Sequence, residues 1–286
     1  MDIHPQPGEG KSVLITGCSS GIGRTTALHL AELGYTVFAT VRKPADQARL
    51  AELRLPNLVP LCPLDLTHRE DIGPLVQSVQ EELRRLGQPG LYALINNAGG
   101  GGVAPLELLD LDVFSAEVQG RLVGALALVQ AFLPALRAGS GRIVWIATPA
   151  TIPTAYVSSI HACDFAVNCL ARTLDIELKP WNLPVIQVRC GGIRTDKGLT
   201  TPQEAQAILR HPRGELYRLA VSRWGEEMAA FDRKRTEPVE VARVVAQALS
   251  ARQPRRRYRV GYMSGAAALL ELLPQAWTDA ILKARV

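Results

Sequence analysis

The sequence predicts one α/β domain, residues 1–286, built on a parallel β-sheet of about seven strands with helices on both faces. Short apolar runs alternate along most of the chain with longer segments of helical periodicity, the pattern of parallel strands joined by crossover helices. The chain has 286 residues and is 47% hydrophobic, enough to bury one sizeable core. Several of the apolar runs end in glycine-rich or polar segments, and in an open parallel sheet the ligand site lies at that edge.

The first apolar run passes through Thr16 into a turn that contains Gly17, Gly21 and Gly23, and a helical pattern follows over residues 22–33. A strand that turns sharply into a helix leaves the first backbone N–H groups of the helix free to bind phosphate. Gly17 permits the turn, Gly21 allows close approach to the main chain, and Gly23 lets the helix pack closely on the strand. The alternative is an ordinary glycine-rich turn. The predicted phosphate-binding residues are Thr16, Gly17, Ser19, Ser20, Gly21, Ile22 and Gly23.

Polar residues also follow the next three apolar runs. The run 35–41 ends at Arg42, and the run 58–64 ends at Asp65 and Leu66. The fourth run, which begins at Leu91, breaks into a second glycine cluster, in which an Asn side chain is expected to tie neighbouring strands together. The residues of that cluster expected at the ligand are Asn97, Ala98 and Gly99.

The second half of the chain continues the alternation of helices and strands. Its predicted elements are a long helix over 113–138, a strand over 141–146, a strand over 183–190, a helix over 238–252 and a strand over 258–263. The segment 200–236 carries apolar and charged residues that suit a mobile, amphipathic helical cover, with burial of the apolar residues against the body as the alternative. The apolar tail 265–273 is expected to pack on the core, with a membrane or a neighbouring subunit as the alternatives.

Charge and cysteine content limit the partners and the compartment. The net charge is +5, and we interpret the basic run between Arg252 and Arg259 as a solvated turn, with an acidic partner or a membrane surface as the alternative. Without aromatic interleaving or a second basic patch, no nucleic acid partner is expected. The five scattered cysteines lack metal-ligand spacing and are interpreted as buried thiols, so no metal site is predicted. We expect no signal peptide, no transmembrane segment and a cytoplasmic location.

Together, the pattern T-G-x-x-x-G-x-G at 16–23, Asp65 and the stretch Asn96–Gly99 resemble the short-chain dehydrogenase/reductase family in sequence and in separation. Among its members, the chain looks most like the NADP-using 17β-hydroxysteroid and retinol-type reductases. The resemblance implies a Rossmann-type doubly wound sheet, and a homodimer or homotetramer assembled through helices 112–138 and 155–179. It also implies a nicotinamide-seating turn after the sixth strand, whose expected contacts are Gly191, Ile193 and Thr195.

The cofactor preference is predicted from the residue that follows the second strand. Sites selective for NAD place a carboxylate there for the ribose 2′-hydroxyl, whereas NADP sites use a cation for the additional phosphate. Here Arg42 stands in that place, and the Ser19 hydroxyl is available nearby. We therefore expect NADP(H) in preference to NAD(H), while a merely solvated Arg42 would leave the preference open. Asp65 is expected to accept the adenine amino group, and Leu66 to flank the adenine ring.

The proton-transfer half departs from the family pattern. Aligning the family's Ala-Ser-Lys-Phe-Ala stretch with residues 162–166 places Ile160 in the slot of the proton-donating Tyr and Asp164 in the slot of the Lys. Thr148 keeps a hydroxyl in the Ser slot, and Arg121 fills the Asn slot. The two family slots lie on facing helices, so we expect Arg121 and Asp164 to form a buried ion pair.

Three functions are compatible with this site. The first is an NADP(H)-dependent oxidoreductase on an apolar carbonyl, alcohol or activated C=C or C=N substrate, with Thr148 orienting the substrate. Its proton would be handled by His161 with Asp164, one helical turn apart, or by water. The second is a non-redox isomerase or cyclase that retains NADP, and the third is a catalytically silent NADP-binding protein. The alternative for the Arg121–Asp164 pair is a packing compensation with no part in catalysis.

Overall fold

The computed structural model of the chain describes residues 7–149, 153–195 and 202–284. Its strands form one parallel seven-stranded sheet in the order β3-β2-β1-β4-β5-β6-β7. The predicted sheet is therefore confirmed. The strands are β1 (Ser12–Ile15), β2 (Thr36–Thr40), β3 (Leu58–Leu61), β4 (Ala93–Asn96), β5 (Arg142–Ala147), β6 (Val185–Cys190) and β7 (Arg257–Val260).

Helices cover both faces of this sheet. Successive β1 residues point to opposite faces, so Val13 and Ile15 pack with α1 and α9, whereas Leu14 packs with α3 and α5. The helices are α1 (Gly21–Glu32), α2 (Pro44–Ala51), α3 (Ile72–Arg85), α4 (Leu111–Val118), α5 (Ala125–Ala138), α6 (Ser158–Glu177), α7 (Pro202–Arg210), α8 (Arg218–Asp232), α9 (Pro238–Ser250), α10 (Ser264–Leu270) and α11 (Gln275–Lys283).

The strand order reverses between β1 and β4, and this reversal positions the site. Ile15 of β1 pairs with Ala39 on one side and with Ile95 on the other. Asn96 at the end of β4 pairs with Trp145 of β5. The segments that leave the carboxyl ends of β1, β4 and β5 therefore meet at one edge, where a crevice opens in sheets of this topology.

Helices α4 and α5 join through a π-helical segment, Gln119–Gly124, to form one long helix, Leu111–Ala138. Among the described residues, this is the one helix that length and composition alone would allow to cross a membrane, so the absence of a transmembrane segment stays a prediction. The indication is weak, because core helices of soluble proteins satisfy the same criteria. Here Leu128 and Phe132 are buried against the sheet.

The tail and the cysteines differ from the sequence-based expectation. Leu269, Leu272 and Trp277 of the tail are 68%, 80% and 65% exposed, because α10 and α11 extend past β7, the edge strand of the sheet, and only part of their surface meets the core. Cys169 is exposed and Cys62 half-buried, whereas the other three cysteines are buried.

Candidate active site

The glycine turn after β1 has the backbone geometry that only glycine adopts readily. Gly17 and Gly21 have φ angles of +74° and +54°. A Cβ on Gly17 would lie 2.9 Å from the Cα of Ala98, and one on Gly23 would overlap the carbonyl oxygen of Gly17. The turn is thereby held close to the end of β4, with Ser20 as the residue that precedes α1.

Side chains of Thr16 and Asn97 connect the ends of β1 and β4. The Thr16 hydroxyl oxygen accepts hydrogen bonds from the backbone N–H groups of Asn97 (3.0 Å) and Ala98 (2.9 Å). The Asn97 amide donates to the Thr16 carbonyl at 2.9 Å. The predicted Asn tie between neighbouring strands is therefore present, and it involves Asn97.

Arg42 and Asp65 lie together beyond β2 and β3. An Arg42 Nη1 atom lies 4.0 Å from Asp65 Oδ2, and the arginine side chain is 71% exposed. Burial raises the pKa of Asp65, but hydrogen bonds from Thr67 and the charge of Arg42 outweigh it and leave that pKa below its usual value. Leu66 is 6% exposed and packs in the core, so its side chain offers little surface to an adenine ring.

A cavity of about 570 Å³ opens beside the glycine turn. Its lining combines backbone and hydroxyl groups at the start of α1 with three arginines and two carboxylates, and Asp46 and Glu237 pair with Arg49 and Arg194. The backbone N–H groups at the start of α1 favour an anionic ligand. The residues that line it include Ser19, Ser20, Gly21, Arg24, Arg194 and Thr195. Arg24 and Arg194 were not among the predicted contacts, although both follow predicted ones directly in the sequence.

The turn after β6 reaches the same cavity. A Cβ on Gly191 would overlap the carbonyl oxygen of Tyr262, so this turn packs against the segment that follows β7. Ile193 is buried and pairs with Thr236. The Cγ2 atom of Thr195 would lie 3.2 Å from a Cβ on Gly21, which places Thr195 at the glycine turn. These residues fit a dinucleotide whose pyrophosphate lies at the start of α1.

The other half of the site, called the proton-transfer half after its predicted role, is built around Asp164 of α6, which is fully buried. Its Oδ2 atom accepts hydrogen bonds from the backbone N–H of Thr148 (2.8 Å) and from the Thr148 hydroxyl (2.6 Å). Its Oδ1 atom forms an ion pair with Arg121 Nη2. The predicted Arg121–Asp164 ion pair is confirmed.

Arg121 has a second carboxylate partner that sequence reasoning missed. Its Nη1 atom donates to Glu117 Oε1 and to the carbonyl of Gly100, both at 3.1 Å. The side chains of Arg121 and Glu117 are 13% and 4% exposed. The i,i+4 spacing of these two residues was the available signal. Arg121 lies in the π-helical segment, a feature often found at functional sites.

Ile160, in the slot of the family's proton-donating Tyr, packs in an apolar cluster. It packs with Tyr156 and Met228 around a small buried core of Val103, Val157 and Trp224. The rings of Tyr156 and Trp224 meet edge to face at 5.8 Å. Helix α8 thus packs Trp224 and Met228 against Ile160 of α6.

The predicted cover, 200–236, consists of α7 and α8, and its first two residues lie outside the described residues. A polar contact fixes it to the body of the protein. Arg213 Nη1 and the Tyr217 hydroxyl each lie 2.7 Å from a carboxylate oxygen of Glu107, which precedes α4.

Asp164 has different partners from those of the suggested His161–Asp164 pair. Both of its oxygens are occupied, one by Arg121 and the other by Thr148. His161 is half-buried on the same helix. The pair was suggested by helical spacing alone, and spacing takes no account of an arginine reaching across from the facing helix.

The site is rich in hydrogen-bond acceptors. The Thr148 hydroxyl donates a hydrogen bond to Asp164, so its oxygen can accept a hydrogen bond from a ligand. Burial raises the pKa of Glu117 more than its neighbours Arg121 and Ser159 lower it. Such an arrangement can accept a proton from a substrate hydroxyl more readily than it can donate one to a carbonyl.

Comparisons with known proteins agree with this geometry. Residues 11–205 match the family model described as short chain dehydrogenase. The human 11-beta-hydroxysteroid dehydrogenase type 2 is 31% identical over 264 residues, which cover 88% of this chain and 64% of that protein. The chain therefore spans less than two thirds of the length of this relative.

Solved structures share the fold. A short-chain dehydrogenase from Streptomyces avermitilis superposes with a TM-score of 0.74 at 25% identity, covering 96% of this chain and 94% of the other. One from Burkholderia cenocepacia, solved with NADP, gives 0.73 at 23% identity, with 96% and 98% covered. The chain belongs to the short-chain dehydrogenase family and resembles its hydroxysteroid dehydrogenases.

Proposed function

We propose that the protein is an NADP(H)-dependent oxidoreductase that interconverts an apolar alcohol and its carbonyl compound, using Thr148 and Asp164 for proton transfer. The observation that carries this proposal is the 2.6 Å hydrogen bond from the Thr148 hydroxyl to Asp164, in the slots of the family's Ser and Lys. It supplies a polar, proton-accepting group directly after β5, at the carboxyl edge of the sheet.

The preference for NADP(H) rests on Arg42. Its exposed guanidinium follows β2, where a carboxylate would otherwise bind the ribose 2′-hydroxyl. Asp65 lies beside it and keeps the cation positioned without burying it. A 2′-phosphate brought to this place would meet Arg42 and the Ser19 hydroxyl.

The substrate class rests on the apolar cluster at the mouth of the site. Ile160 and Met228 are half-buried and offer aliphatic surface beside the buried Trp224, which suits a rigid apolar molecule better than a sugar. The named human relative acts, by its name, on a hydroxysteroid. We therefore propose a hydroxysteroid-like alcohol as the first substrate to test.

The residues of this chain would act on the substrate hydroxyl. When bound, the nicotinamide cofactor supplies the hydride acceptor or donor. Thr148 accepts the hydrogen bond of the substrate hydroxyl, and as the carbon–hydrogen bond breaks it takes up that proton while its own passes to Asp164. Arg121 holds the carboxylate in position through the ion pair. Helix α8 excludes water from the reacting atoms.

The test is turnover by the purified chain with NADP⁺ and a panel of hydroxysteroids and other apolar alcohols, followed by nicotinamide absorbance. Replacing Thr148 with Val should lower kcat by about 10²-fold or more, since the proton acceptor is lost, and Thr148→Ser should retain activity. Binding of NADP⁺, measured by calorimetry, should be alike in all three. Turnover that survives Thr148→Val would contradict the proposal.

A second candidate is a protein that binds NADP(H) without net redox chemistry, either as an isomerase or cyclase or as a silent sensor. The ion pair favours it, because a carboxylate in the Lys slot cannot lower the pKa of a phenol or bind a ribose hydroxyl as an ammonium does. Product formation without a change in nicotinamide absorbance would identify an isomerase or cyclase. Binding without any product would identify the silent protein.

A further inference from the structure

Glu117, Arg121 and Asp164 form a buried cluster whose negative and positive charges do not balance. Glu117 and Asp164 are two buried carboxylates that share the guanidinium of Arg121. Fully ionised, the three side chains carry one negative charge in excess, in a place where an uncompensated charge is costly. Such a cluster is more stable with one bound proton than without it.

Contacts identify which carboxylate holds that proton. Both Asp164 oxygens are bonded, to Arg121 and to the Thr148 groups. Glu117 uses Oε1 for Arg121, whereas its buried Oε2 has no hydrogen-bond partner among the described residues, because the Ser159 hydroxyl nearby donates to the carbonyl of Gly102. A carboxyl group with one oxygen free is the one that can bind a proton without losing an existing contact.

Glu117 also adjoins the slot of the missing tyrosine. A Cβ on Gly101 would overlap both Ile160 Cγ1 and Glu117 Oε1, so these two side chains meet across a backbone that lacks a side chain of its own. Helices α4 and α6 therefore bring a carboxyl group to the level of Ile160, one turn before the Arg121–Asp164 pair.

The groups around Glu117 come from three elements. Among the described residues, its own long helix supplies Arg121, and the loop after β4 supplies the backbone near Gly101. Helix α6 supplies Ser159, Cys163 and Asp164. Burial raises the pKa of Cys163 to about 11, so that thiol stays neutral when Glu117 titrates.

We propose that Glu117 holds the exchangeable proton of this cluster and acts as a positioning residue, setting through Arg121 how strongly Asp164 draws the proton of Thr148. With Glu117 protonated, the positive charge of Arg121 falls on Asp164 alone. When Glu117 releases its proton to water, Arg121 is shared by two carboxylates, and Asp164 accepts the Thr148 proton more readily. The second half of this inference rests on the proposed function.

The first test needs neither cofactor nor turnover. In the infrared spectrum of the cofactor-free protein, a protonated Glu117 contributes a carboxylic C=O stretching band, which Glu117→Gln removes. Glu81→Gln is the matched control, since it deletes an exposed glutamate of α3. A variant-minus-parent difference spectrum at neutral pH should show the loss for Glu117→Gln alone. No loss means that Glu117 is ionised, and it overturns the inference whether or not the protein is active.

The second test is the pH profile of alcohol oxidation. In the parent, kcat/KM should rise as Glu117 ionises, above the usual pH range of a glutamate. In Glu117→Gln that rise should vanish, leaving kcat/KM about tenfold lower on the alkaline side, the effect of a pKa change of about one unit. Glu81→Gln should keep the parent profile. An identical rise in Glu117→Gln would overturn the coupling, whereas a parent without turnover refutes the proposed function and leaves the infrared result to decide on Glu117.

Discussion

The nucleotide half and the proton-transfer half lie on the same sheet edge but use polar side chains in opposite ways. In the nucleotide half, Thr16 and Asn97 bond to backbone, and Arg42 remains exposed and available to a ligand. In the proton-transfer half, Arg121 and Asp164 bond mainly to each other and to their neighbours. The nucleotide half therefore leaves a cation available to a charged ligand, whereas in the proton-transfer half the charged side chains neutralise one another.

This contrast follows from what each half requires of its residues. A phosphate is bound by glycine geometry, helix N-termini and a cation, and each contributes independently. Proton transfer by the family's tyrosine depends on one lysine ammonium, so a change at one slot removes the reason for keeping the other. We therefore propose that Ile160, Asp164 and Arg121 replace the family's Tyr, Lys and Asn together.

The sharpest way to break the contrast is to restore the family's groups together. Ile160→Tyr with Asp164→Lys and Arg121→Asn should raise reduction of simple apolar ketones by about 10²–10⁴-fold over the parent, the usual contribution of a positioned general acid. The measurement is NADPH oxidation. Leaving Arg121 in place is the control, because the new ammonium group would then face its guanidinium and activity should stay low. Equal activity of the two variants would show that the slots are not coupled.

The stability of the folded protein tests how strongly Arg121 and its two carboxylate partners depend on one another. Arg121→Met leaves two buried carboxylates without a cation and should lower the free energy of unfolding by about 3–5 kcal/mol. Urea denaturation of the cofactor-free protein measures it, with Arg172→Met, an exposed position on α6, as the control. A loss no larger than the control's would mean that Arg121 contributes little to the cluster.

The two halves also differ in how much the sequence predicts of them. The glycine turn and Asn97 are local motifs, and their spacing fixes their geometry. Homologous slots on facing helices were enough to predict the Arg121–Asp164 contact. They could not reveal Glu117, because the number of carboxylates that share a guanidinium depends on how two helices pack.

Longer-range packing accounts for the other differences. The exposure of the tail around Leu272 depends on where α10 lies beyond the edge strand, and no local pattern encodes that position. The contact of Glu107 with Arg213 and Tyr217 joins residues more than a hundred positions apart. Amphipathic composition predicted a helical cover, but it did not predict the contacts of Glu107 that attach this cover to the rest of the protein.

In the nucleotide half, a single exposed side chain can be changed without disturbing the fold. Arg42→Leu should weaken NADP⁺ binding by about 10- to 100-fold, since a charge-assisted contact to the 2′-phosphate is lost. NAD⁺ binding by the same variant should change by less than twofold, which serves as the internal control. Calorimetry measures both. Equal losses for the two cofactors would place Arg42 elsewhere than at the 2′-phosphate.

The smallest effect is expected where the cover meets the body. Glu107→Gln removes the carboxylate that Tyr217 and Arg213 contact, and amide hydrogen exchange over 214–232 should quicken by about two- to fivefold, because exposed ion pairs contribute little. Global unfolding should be unchanged.

The hydrogen bond from Tyr217, together with Arg213, keeps the pKa of Glu107 below its usual value. The contact is therefore present above the unfolded-state pKa and is lost as the pH falls through the folded-state value. Exchange in the parent should accordingly approach that of Glu107→Gln in acid, and a difference between them that persists there would show that the carboxylate charge is not what fastens α8.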